Sequence, residues 1–256
     1  MTPDPQPQQP VSLKERAQRA LGALVAAGAA VAKLGALVFK IKFFGLAISM
    51  LVSVLGYTLF FGWTFAVGLV LLVLVHELGH LVLMRSRGYS TGLPVFIPMF
   101  GAYVKGRKDD ATAYDGALAS LAGPFAGALG ALAVLGLGEV YDSEFLNALG
   151  YFGLFLNLFN LSPIRPLDGY LPGSALRLAE WVPLLAVMVL VELQDQSPAL
   201  PILILLGAYR AYRSFRHPEP TGLLPQQRLT VVATYVGIIA ISLLAMHGHQ
   251  PVARHL

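Results

Sequence analysis

Hydrophobic positions along this chain fall into long unbroken runs separated by short polar breaks. They show neither the alternation of half-buried strands nor the narrow stripes of soluble helices. Residues 43–61, 63–84, 114–138, 146–161 and 229–246 are runs of this kind, and 178–193 with 199–212 reads as a short helical hairpin. A helix crossing a bilayer core needs about 20 apolar residues. The pattern therefore predicts an all-α polytopic membrane protein with about six transmembrane helices. Gly45, Ser49 and Ser53 recur at four-residue spacing in the first run, as do Ala119, Gly123, Gly127 and Ala131 in the third. Small-residue stripes of this sort let helices approach closely. Between the second and third runs lies "GLPVFIPMFGAYVKG", residues 92–106. It is apolar, too short to cross, and interrupted by two prolines. It predicts a short re-entrant β-hairpin or loop, tolerated at membrane depth only where protein or a water-filled cavity surrounds it.

The polar ends complete the organisation. Residues 1–11, Pro- and Gln-rich, cannot bury a core and are expected as a disordered tail. Residues 12–42 carry Lys14, Arg16, Arg19, Lys33, Lys40 and Lys42 among Ala, Leu and Val, the pattern of a basic helix lying on the membrane surface. A tilted span through 21–39 is the alternative, and Lys33 argues against it.

Composition agrees with this reading. Only 12% of the 256 residues are charged, against about 25% in soluble domains. Cysteine is absent, which excludes disulfides and thiolate metal sites. The net charge of +4 does not imply nucleic acid, because the basic residues are scattered between apolar runs. They report topology instead. With the N-terminus cytoplasmic, every Lys and Arg up to Arg228 falls inside and only Arg254 outside. That is the asymmetry of the positive-inside rule.

One apolar run holds ionisable groups: "LVLVHELGHLVLM", residues 71–83. On a helix, His76 and His80 lie one turn apart on the same face and can reach one metal ion. Glu77 stands about 100° round the axis, beside the metal, where it can take a proton from an activated water and return it to a leaving amine. Gly79 is expected to leave room there for a substrate backbone. Two lone helix histidines are usually packing or surface residues, but ionisable groups deep in an apolar span are functional by default.

A catalytic zinc needs a third ligand and an open position. His217 and the tail histidines His247, His249 and His255 lie outside the spans, and Asp109, Asp110 and Asp115 are expected to be solvated. Asp168 differs. It stands in "FNLFNLSPIRPLDGY", residues 156–170, where Pro163 and Pro166 forbid regular helix and Gly169 permits a sharp turn. It is the expected third ligand. Asn160 could donate a hydrogen bond to the oxyanion of amide hydrolysis, with helix–helix hydrogen bonding as the plainer role for it and the default for Asn157.

With HELGH at 76–80 and "NLSPIRPLDG" at 160–169, the chain resembles the site-2 protease family of intramembrane zinc metalloproteases. "SLAGP" at 120–124 and "PVFIPMFGAYV" at 94–104 are similar to further family features. The resemblance implies one Zn²⁺ held by His76, His80 and Asp168, with Glu77 as general acid and base and Asn160 assisting. It implies that the hairpin, through Val95, Phe96, Ile97, Gly101, Ala102 and Tyr103, offers a strand edge to an unwound substrate helix. The expected partners are single-span membrane protein substrates and the lipid bilayer. The expected location is a bacterial plasma membrane, with the active site towards the cytoplasm. The division that follows is a catalytic membrane core over 43–170 and C-terminal transmembrane helices over 171–256, with no PDZ-like or CBS-like module in view. A zinc endopeptidase acting on transmembrane segments, in regulated intramembrane proteolysis or clearance of signal-peptide remnants, is the leading expectation. A membrane metal-ion transporter using the His/Asp cluster as a transit site is the alternative; transporters usually show internal repeats, and no convincing one is visible.

Overall fold

The computed structural model describes residues 33, 37, 40–98, 101–195, 200–217, 221–247 and 249. The expected tail over 1–11 and most of the basic segment over 12–42 lie outside the described residues. The chain divides into two units, 1–45 and 46–256. In the first, Lys33, Leu37 and 40–45 are helical. The second holds everything discussed below.

The described chain is mostly helical, and four helices are long and apolar enough to cross a membrane: Lys40–Phe61 (α1), Trp63–Ser86 (α2), Ala113–Val140 (α3) and Pro225–His247 (α8). Between α3 and α8 come Glu144–Asn160 (α4), Tyr170–Ser174 (α5), Leu178–Asp195 (α6) and Leu200–Arg216 (α7). Helix α4 has 17 residues, about 25 Å at 1.5 Å per residue, somewhat short of a ~30 Å hydrocarbon core.

Helix boundaries follow from local chemistry. Gly62, at φ 77°, turns the chain between α1 and α2, a conformation that only glycine adopts without cost. Helix α3 opens with a capping box in which Thr112 and Asp115 bond each other's backbone N–H groups. Asp115 is buried rather than solvated, contrary to expectation. Its carboxylate also accepts from Lys108 at 2.9 Å and Arg87 at 3.3 Å, tying the loop before α3 to the end of α2. The carboxylate beside it raises Lys108 above the ordinary lysine range. Asp109 is exposed, as expected, beside an equally exposed Arg107.

Helix α3 packs against both α2 and α4. The approach is close because small residues face each other. A Cβ at Gly150 would collide with the α3 backbone at Leu135 and Ala131, and one at Gly153 would press on Leu72 and Ala131. At the other end of the bundle Glu139 of α3 pairs with His249, just past α8, at 3.2 Å, so these two helices finish on one side.

Within the segment 92–106, Val95–Ile97 (β2) pairs antiparallel with Gly101–Tyr103 (β3) in the register Val95 to Tyr103, the strand pairing of the expectation. Flanking it, Ser90–Thr91 (β1) pairs with Gly106–Arg107 (β4) and closes the base. Phe96 is buried against Val54, Ala66 and Val70, and its N–H reaches Ser49 Oγ of α1 at 3.4 Å. The polar stripe of α1 thus serves partly to dock the hairpin. Beyond Asn160 the chain leaves the helix. The Gly169 N–H returns to the Asn160 carbonyl at 2.8 Å, and a Cβ at Gly169 would run into the Leu161 carbonyl. Tyr235 of α8, fully buried, donates to that same Leu161 carbonyl at 2.6 Å. The turn carrying Asp168 is therefore braced from the C-terminal helices.

Candidate metal centre

Helix α2 delivers His76, Glu77 and His80 to its buried face, and the braced turn after α4 delivers Asp168. The Nε2 atoms of His76 and His80 are 3.1 Å apart. Asp168 Oδ2 lies 3.0 Å from the first and 3.3 Å from the second. Zinc bound at about 2.0–2.1 Å in tetrahedral geometry spaces its ligand atoms about 3.4 Å apart, so the triangle is close to coordination size.

The hydrogen bonds behind the triangle determine what its atoms carry. His76 Nδ1 lies 2.8 Å from Asn157 Oδ1, and the Asn157 amide is oriented by donation from its Nδ2 to the Gly153 carbonyl at 2.7 Å. His80 Nδ1 lies 2.7 Å from the Ala119 carbonyl. Both partners are oxygen acceptors, so both Nδ1 atoms carry the hydrogen and both neutral rings present a bare lone pair at Nε2. Two nitrogen lone pairs and a carboxylate oxygen therefore converge on one point. Three electron-pair donors in buried surroundings repel one another unless a cation joins them. A second shell of this kind is how metal-binding histidines are usually held. The residues fit a divalent ion bound by two imidazoles and one carboxylate, and His76, His80 and Asp168 meet the spacing that such an ion needs.

Helix α3 forms the bed beneath this centre. A Cβ at Gly123 would fall on the His80 ring, and one at Gly127 would fall on the Asn157 amide. The stripe Ala119, Gly123, Gly127 thus seats one candidate ligand, His80, and the side chain that orients the other, His76, besides letting helices pack. Gly79 does not play the role expected of it. It faces α3, where a Cβ would strike the Ala122 carbonyl and Ala126, so it makes room for a helix rather than for a substrate.

Glu77 is buried, and among the described residues its Oε2 has no hydrogen-bond partner. A carboxylate oxygen held without a donor is costly unless a ligand or water supplies one. Cavities flank it: one of about 210 Å³, lined among others by Tyr57, His76, Glu77 and Asn157, and one of about 570 Å³ that reaches His80 and Asp168. Asn160, Ala102 and Leu167 line both. Of the hairpin residues, Gly101 lines the smaller cavity, while Ile97 and Tyr103 line the larger. Val95 is exposed, and Phe96 is the buried anchor described above.

The sequence brought forward His76, Glu77, His80, Asp168 and Asn160, and all five meet around these cavities. It gave Asn157 a generic helix–helix hydrogen bond. That bond does join α4 to α2, but its partner is a histidine of the candidate metal centre. The Ala119 carbonyl could not be foreseen, because any residue type presents one.

The family model described as Peptidase family M50 matches residues 64–143. This range includes HELGH and the α3 stripe and ends before Asp168. The match supports the resemblance to the site-2 protease family and indicates a metallopeptidase. No curated protein matches the chain.

Proposed function

We propose that this chain is an intramembrane zinc endopeptidase that hydrolyses peptide bonds within or near transmembrane segments of single-span membrane proteins. The observation that carries the reading is the convergence of three electron-pair donors beside the buried Glu77, whose Oε2 has no hydrogen-bond partner among the described residues, with a β-hairpin lining the same cavity. When bound there, zinc supplies Lewis-acid polarisation of water and of the scissile carbonyl.

The remaining work falls to this chain's own groups. Glu77 takes the proton of the attacking water and delivers it to the departing nitrogen. Its buried, undersolvated oxygen suits it to proton exchange with whatever enters the cavity. Asn160 donates to the carbonyl oxygen as negative charge gathers there. Asn157 and the Ala119 carbonyl hold the two imidazoles in the tautomer that presents Nε2. The β2–β3 pair, docked on α1 through Phe96, offers a backbone edge to a substrate drawn out as a strand. That extension is needed because a helical peptide bond is shielded by its own turn; substrates with small or helix-breaking residues at the cut should react faster.

In this reading the hairpin is re-entrant, α4 joins the four long helices as a further crossing, α6 and α7 form a helical hairpin, and the N-terminus and the site lie towards the cytoplasm of a bacterial plasma membrane. The bias of Lys and Arg to the ends of the runs supports that orientation.

Co-expression of Glu77→Gln with a tagged single-span substrate tests the proposal. The variant should retain zinc and lose cleavage, leaving full-length substrate in the membrane. Cleavage at the wild-type rate would sink the catalytic assignment. Zinc flux into sealed vesicles without any proteolysis would favour a transporter instead.

A further inference from the structure

A second concave site lies away from the HELGH centre. A cavity of about 450 Å³ opens where α5 leads into α6, α7 ends and α8 begins, and its wall holds Arg177, Arg210, Arg213 and Arg228 with Ser214 and Thr221. Arg210, Arg213 and Arg228 are half-buried. Among the described residues no carboxylate lines it. Glu180 offsets the charge of Arg228, and the remaining guanidinium groups around the depression raise the local positive potential and draw in anions.

The surrounding contacts fix the frame. Arg228 Nε donates to the Ala175 carbonyl at 2.9 Å, and its Nη2 donates to Glu180 at 2.7 Å. Ser214 Oγ donates to the Leu176 carbonyl at 3.2 Å. Arg210 stacks 5.5 Å from the centre of the Tyr170 ring. Two walls of the cavity, α5–α6 and α7–α8, are thus cross-linked by hydrogen bonds, so the depression is built rather than left by splayed side chains. Phe215 lines the cavity and is exposed, as is Leu178. The mouth therefore combines a guanidinium floor with an apolar lip.

We propose that this cavity binds a phosphate group, carried by an anionic phospholipid or by a soluble phosphate compound. Guanidinium forks match phosphate oxygens two at a time. Basic pockets between helices at a membrane surface take lipid headgroups for this reason, and the apolar lip would accommodate the start of an acyl chain. Arginines that merely mark the cytoplasmic ends of spans would stay exposed and splayed; Arg210, Arg213 and Arg228 are half-buried around a cavity, with Arg177 exposed at its rim.

The test uses the full chain, delipidated and reconstituted in nanodiscs. In one arm, phosphatidylglycerol is titrated into phosphatidylcholine discs and retained lipid is counted by native mass spectrometry. In the other, inorganic phosphate is titrated into discs of phosphatidylcholine alone. The wild type should bind one of the two probes. Arg177→Gln/Arg213→Gln should weaken that binding at least about tenfold, with zinc content unchanged as a check on folding. Retention of phosphatidylglycerol undisturbed by phosphate identifies a lipid headgroup; phosphate binding in neutral discs identifies a soluble ligand. Absence of binding in both arms overturns the site. So does equal binding by the Gln variant, or by Arg177→Lys/Arg213→Lys, since nonspecific attraction needs no fork.

Discussion

Asn157 Oδ1 stands 2.8 Å from His76 Nδ1, joining the last turn of one helix of the core to the first candidate metal ligand on another. The contact is buried and dictates which nitrogen of His76 carries the hydrogen. It predicts that Asn157→Leu, which keeps the bulk and removes the acceptor, lowers zinc affinity about 10–100-fold. Competition with a chromophoric chelator reads this directly. An unchanged affinity would mean that the hydrogen bond serves helix packing alone.

Gly123 supplies a second, sterically defined test. A methyl group there would occupy the place of the His80 ring, whereas one at Gly136 of the same helix would meet nothing within 4 Å. Gly123→Ala should lose retained zinc at least about tenfold, and Gly136→Ala should keep it. Equal zinc content in the two purified variants would contradict the bed assigned to α3.

Tyr235 braces the Asp168 turn from a helix without metal ligands. Tyr235→Phe leaves the buried Leu161 carbonyl without this donor, and should destabilise the protein by about 1–3 kcal/mol. Reversible unfolding in detergent measures the loss. A stability equal to wild type would show that the carbonyl finds another donor.

Ala102 lines both cavities beside Glu77. Ala102→Leu would fill space that an extended substrate needs, so kcat/KM on a membrane substrate should fall about 100-fold while zinc content stays whole. Cleavage at the wild-type rate would remove the hairpin from the substrate path.

Much of this architecture is legible in the chain because cost marks it. HELGH stands out since ionisable groups in an apolar run need a reason, and Asp168 stands out since two prolines and a glycine mark a break in the helix. The hairpin is legible from its prolines and its length. What stays hidden is what residue type does not encode. The Ala119 carbonyl is backbone, and Gly123 and Gly127 read as a generic packing stripe until His80 and Asn157 are seen lying on them. Gly79 misleads for the converse reason: being next to His80 in sequence, it suggests space at the metal, but its position on the helix turns it towards Ala122. Asp115 misleads because it follows the polar Asp109 and Asp110 in sequence, while in the fold Lys108 and Arg87 bond its carboxylate.

The central claim is that two regions about ninety residues apart close around one ion. X-ray absorption at the zinc edge, on the full chain loaded with one equivalent of zinc, tests it most directly. One zinc per chain is expected, bound by two imidazole nitrogens and a carboxylate oxygen at about 2.0–2.2 Å, with the oxygen shell altered in Asp168→Ala and the imidazole signal lost in His76→Ala/His80→Ala. A spectrum without imidazole scattering, or one unchanged by Asp168→Ala, would contradict it.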